Sequence, residues 1–150
     1  MTMAWVLAMA LQAAPCPSGA APAEVPGWAQ PVPVASGGAL TPGRSTSLAL
    51  VPAARQGFTP PPGHKADAGS FGGTAEVTVE AAGRYRIMLD GAAWIDLVAD
   101  KLALTSVAHG HGAPCSGVRK MVDFDLKPGH YTLQVSGAKA PRIQVMLASQ

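Results

Sequence analysis

The run Val107 to Lys120, V-A-H-G-H-G-A-P-C-S-G-V-R-K, gathers the residue types that can do chemistry. His109 and His111, two apart, project to one side of an extended strand, where their imidazoles can grip a single transition-metal ion. Such a centre needs a third protein ligand, and Cys115 can supply a thiolate suited to zinc, copper or iron. His64, Asp123 and His130 are the other candidates, and no spacing selects among them. Arg119 and Lys120 add two cations beside glycine-rich backbone whose amides can form a nest for an oxyanion. The plainer reading is turn chemistry, in which glycines permit positive φ and Pro114 stiffens the loop. Ser106 and Ser116 lie close by, but no acid is placed to orient a histidine toward either, so a hydrolase triad is not arguable.

The elements that must position this loop are strands. The chain of 150 residues has room for one domain with one core. Charged residues are only 13% of it, and 17 glycines with 14 prolines indicate a turn-rich, strand-based architecture. A net charge of +2, with no basic run interleaved with aromatics, excludes a nucleic-acid surface. No serine-nucleophile motif, carboxylate pair or phosphate loop is present.

Residues 1–14 read as a secretory signal peptide. The apolar run Ala4 to Leu11 is too short to span a bilayer and ends at the small residues Ala13 and Ala14, although no basic side chain precedes Arg44. The competing reading is a buried N-terminal helix. Export places the chain in the periplasm or outside the cell, where its two cysteines, Cys16 and Cys115, most simply form one disulfide. That pairing withdraws Cys115 from any metal. Lipid attachment at Cys16 is disfavoured by Pro15, where a lipoprotein signal needs a small residue.

Residues 15–44 are rich in Ala, Pro and Gly and nearly uncharged, as suits an extended arm laid along the domain, with Trp28 its anchor. Residues 45–150 form the domain itself. Ser45 to Val51 is its first strand, and Arg55 to Gly73 a long surface loop. Ala75, Val77 and Val79, then Tyr85, Ile87 and Leu89, alternate with polar neighbours across an A-A-G turn. Trp94 to Val98 and Leu102 to Val107 lead into the histidine loop; Val118 to Leu126, Tyr131 to Val135 and Ile143 to Leu147 follow it, with Lys120 breaking the apolar register. The fold class is all-β: a single antiparallel sandwich or jelly roll of about eight strands with an extended N-terminal arm. Gly83 to Leu89 and Gly129 to Val135 share a Gly-x-Tyr start and apolar spacing, which makes both tyrosines core corners with hydroxyls on backbone partners.

The run F-D-L-K-P-G-H-Y-T-L-Q-V-S-G, Phe124 to Gly137, resembles the closing hairpin of bacterial pre-peptidase C-terminal domains and related carbohydrate-binding sandwiches. The resemblance extends loosely over Thr74 to Leu147 and implies the sandwich fold, without carrying over a functional residue. The whole chain also resembles short exported bacterial proteins with an A-P-C-P start and an A-H-G-H-G-x-x-C-x-G-x-R-K loop, some of which bear the name homogentisate 1,2-dioxygenase. That name implies an iron-dependent oxygenase with His109 and His111 as ligands. Cupin-type iron sites follow H-x-H with a glutamate, where this chain has Cys115.

Two expectations of function follow. The first is a non-catalytic periplasmic or secreted binding or accessory protein without a cofactor or membrane span. It would engage a protein, a glycan or a small anion through His109, His111, Arg119 and Lys120. The second is a metal-binding protein or small iron-dependent oxygenase that holds one transition-metal ion with His109 and His111.

Overall fold

The computed structural model describes Cys16 and residues 25–150; the expected signal peptide and the first part of the arm, Cys16 apart, lie outside the described residues. Strands arise wherever apolar and polar residues alternate. The long ones are β5 (Phe71–Val79), β6 (Gly83–Leu89), β7 (Trp94–Ala99), β10 (Lys120–Leu126), β11 (Gly129–Ala138) and β12 (Arg142–Ser149). Shorter ones are β1 (Val32–Val34), β2 (Ala39–Leu40), β3 (Thr46–Ala49), β4 (Val51–Pro52), β8 (Leu102–Ala103) and β9 (Ala108–Gly110).

The strands form two packed sheets. The first runs β1-β3-β12-β6-β10-β9, and the second runs β2-β5-β11-β7-β8 with β4 also paired to β5. Between them lies one core, in which Leu48, Ile87, Leu89, Phe124 and Val145 from the first sheet meet Val77, Leu97, Leu133 and Val135 from the second. Each is 2% exposed or less, and at roughly 1.5 to 3 kcal/mol per fully buried side chain this layer is the main stabilising term. The fold is an all-β sandwich.

Pairing is antiparallel except at β1 with β3 and β2 with β5, which are parallel. Both exceptions come from the arm, which therefore enters both sheets rather than lying along them. Pro33 is tolerated because β1 is an edge strand and needs partners on one side only. Farther upstream Trp28, 4% exposed, packs on the outer face of the first sheet against Met88, Val118 and Met146.

Several boundaries differ from the alternation pattern. The strand expected over Ser45 to Val51 divides at Leu50, where the chain passes from the first sheet (β3) to the second (β4). The strand expected over Leu102 to Val107 keeps two residues in β8 before the chain crosses back to form β9. The paired tyrosines behave alike: Tyr85 donates to the Ala81 carbonyl and Tyr131 to the Lys127 carbonyl, each at 2.7 Å and four residues back.

Candidate functional site

The histidine loop is shaped by three constraints. Cys115 is bonded to Cys16, which joins the loop to the arm. Gly112 packs so tightly on Val118 that no Cβ fits there. Cys115 and Gly117 take left-handed φ of 62° and 76°, and the Ser116 hydroxyl accepts the Val118 amide at 3.1 Å. The loop is thus a folded staple, as turn chemistry implies.

The residues that sequence grouped there take different places around the loop. His109 lies on edge strand β9 opposite Val122 and is exposed. His111 lies just past that strand, with its Nδ1 2.9 Å from the Arg119 carbonyl oxygen. The other candidate ligands have different employment. Cys115 is in the disulfide, Asp123 is held by Arg86, His130 Nδ1 is 3.0 Å from Thr78 Oγ1, and the His64 ring lies 5.5 Å from that of Trp94. Among the described residues no group of three or more His, Cys, Asp or Glu is arranged to hold a metal ion.

Arg119 immediately precedes β10 and Lys120 opens it, and the two side chains reach different partners. Lys120 stands opposite Leu89 in register, and its ammonium reaches across the end of the sandwich to the Ala93 carbonyl at 2.6 Å. It also lies 5.4 Å from the Trp94 ring centroid, within cation–π range. Burial pushes this ammonium below its usual pKa, against the opposing pull of the Asp96 carboxylate. Asp96 in turn accepts the Trp94 indole N–H at 3.0 Å and the Gly63 amide at 3.1 Å, so the Pro-rich loop is pinned to the same corner.

Arg119 instead lines a cleft of about 460 Å³ between the β6–β7 and β11–β12 connections, together with Lys139, Arg142 and Asp90. Asp90 is already engaged, its Oδ1 accepting the Gln144 amide at 2.9 Å. The β11–β12 tip reaches this position through a bulge, because the register shifts between Val135 and Ala138 and Gly137 takes φ 70° there. A second cleft of about 260 Å³ adjoins it at Ala92 and is lined by Trp94, His64 and Lys65. This end of the sandwich therefore pairs a basic hollow with a half-exposed aromatic ring. Sequence reasoning missed Lys139, Arg142 and Trp94. The cations are brought to Arg119 by a hairpin tip distant in sequence, and the one available signal was K-A-P-R at a turn.

No known protein family, curated protein or solved structure matches the chain.

Proposed function

We propose that the protein is an exported, non-catalytic binding or accessory domain that takes an anionic ligand at the sandwich end bearing Arg119. The observation that carries this reading is that Arg119, Lys139 and Arg142, the last also donating to Ser47 Oγ at 3.2 Å, line one cleft whose single carboxylate, Asp90, accepts a backbone amide. Guanidinium groups present planar forks that match carboxylate and phosphate oxygens. Trp94, 38% exposed in the adjoining cleft, leaves apolar surface beside the hollow for the body of the same ligand. The Cys16–Cys115 disulfide supports export, since such bonds persist in oxidising compartments.

Titration of the oxidised protein with inorganic phosphate, sulfate and D-glucuronate, followed by amide NMR, tests the reading. Amides of Gly91, Arg119 and Lys139 should shift together for at least one probe, the affinity should fall with added salt, and Arg119→Ala with Lys139→Ala should abolish the shifts. Saturation of the double variant at the same concentrations as wild type would reject this cleft, as would absence of any shift with all three anions.

A further inference from the structure

We propose that the outer face of the first sheet carries a thioether site for one soft monovalent cation, Cu(I) or Ag(I), formed by Met88, Met121 and Met146. Met121 stands directly opposite Met88 across the β10–β6 pair, and Met146 stands directly opposite Met88 across the β12–β6 pair. Three adjacent strands thus present three methionines in one row. Directly opposed residues hold their Cβ atoms about 4.5 to 5.5 Å apart, and the unbranched methionine side chain can bring its sulfur toward a common point. The chain has six methionines, and these three are all that fall among the described residues.

The row opens into a cleft of about 400 Å³ that all three side chains line. Met88 and Met146 are 2% and 3% exposed and cluster with Trp28 and Val118, which gives the cleft one apolar wall. Thioethers are soft, uncharged donors, which favours Cu(I) and Ag(I) over hard or divalent ions. Arg86 also lines the cleft, but its charge is balanced by Asp123 at 2.8 Å, so a monovalent cation entering here does not meet an uncompensated positive group. A row of three polarizable sulfurs on the outward side of a sheet, facing a cleft, has a chemical use that packing does not require.

Because thioethers carry no proton to displace, the site should keep its affinity at pH 5, where histidine-based sites weaken by protonation. The test uses the oxidised full chain labelled at the methionine methyl carbons. It is titrated with Ag(I) at pH 5 and pH 7, and anaerobically with Cu(I) against a chromophoric Cu(I) chelator. The expected result is one equivalent bound at both pH values, with the methyl signals of Met88, Met121 and Met146 shifting together. Met121→Leu, a volume-conserving change at a half-buried position, should weaken binding at least tenfold with an unchanged melting temperature, while His109→Ala with His111→Ala should leave it unchanged. Binding that survives Met121→Leu, that vanishes with the histidines, or that leaves these methyl signals in place would overturn the proposal. So would the absence of a bound equivalent in wild type. None of these outcomes depends on Arg119, Lys139 or Arg142, so the site stands or falls separately from the anion cleft.

Discussion

Arg86 grips Asp123 with two prongs, Nε to Oδ1 at 2.8 Å and Nη2 to Oδ2 at 2.9 Å, from the position directly opposite it in the β6–β10 register. Cross-strand placement preorganises the fork, and the carboxylate side chain is only 7% exposed against 33% for the guanidinium. The Arg86 hydrogen bonds hold the Asp123 carboxyl below the usual aspartate value of 3.8. A depressed folded-state pKa contributes stability that is present above the unfolded value and is lost as pH falls through the folded one. Asp123→Asn should therefore cost about 3 kcal/mol at pH 7, near the low end for breaking a buried pair because Arg86 keeps some solvent. Urea denaturation should show the gap between wild type and variant narrowing as pH drops below 3.8. A gap constant down to pH 2 would refute the assignment.

The Cys16–Cys115 bond closes a sequence separation of 99 residues. Constraining so long a loop in the unfolded chain should stabilise the fold by about 2 to 4 kcal/mol. Cys16→Ser with Cys115→Ser, or reduction of wild type, should lower the denaturation midpoint by the corresponding amount. Equal midpoints for the oxidised and reduced chains would show that the bond does not constrain the fold.

The β7–β8 hairpin closes through Asp100 and Lys101, which take left-handed φ of 49° and 64° between the paired residues Ala99 and Leu102. Two consecutive left-handed residues are what a two-residue hairpin turn demands, and Asn-Gly meets that demand best. A left-handed conformation costs a residue with a Cβ about 1 to 2 kcal/mol. Asp100→Asn with Lys101→Gly should raise stability by about 1 kcal/mol, read as a higher urea midpoint at unchanged slope. A lower midpoint would mean that the turn residues make contacts worth more than the strain they bear.

Much of this architecture was legible because alternation reports burial directly. Val77 with Val79 and Ile87 with Leu89 are core residues in both sequence and structure. The Gly-x-Tyr echo likewise foretold two hydroxyls bonded to backbone, since a buried phenol must find a partner. The arm strands were hidden because prolines mask pairing that an edge position tolerates. The site was hidden for a different reason: adjacency across strands is set by register. Nothing local to β6, β10 or β12 reveals that Met88, Met121 and Met146 share a row, or that Lys139 and Arg142 line one cleft with Arg119. His109 lies within β9 and His111 just past its end.

Lys120 offers the clearest pH signature at the sandwich end. Its ammonium is bonded to the Ala93 carbonyl, and burial lowers its pKa from the ordinary 10.5 while Asp96 partly restores it. Between the lowered folded value and 10.5 the unfolded chain holds the proton more tightly than the folded one. Stability contributed by this residue must therefore rise with pH across that window, and its full penalty is present below it. Compared with Lys120→Met, the wild-type protein should gain stability as pH climbs through the lowered folded-state value toward 10.5, measured by urea denaturation at fixed ionic strength. Direct NMR titration of the lysine ε-carbon should place its midpoint below 10.5. A midpoint above that value, or a stability difference that shrinks with rising pH, would show that attraction to Asp96 outweighs desolvation and that this corner is wetter than its geometry implies.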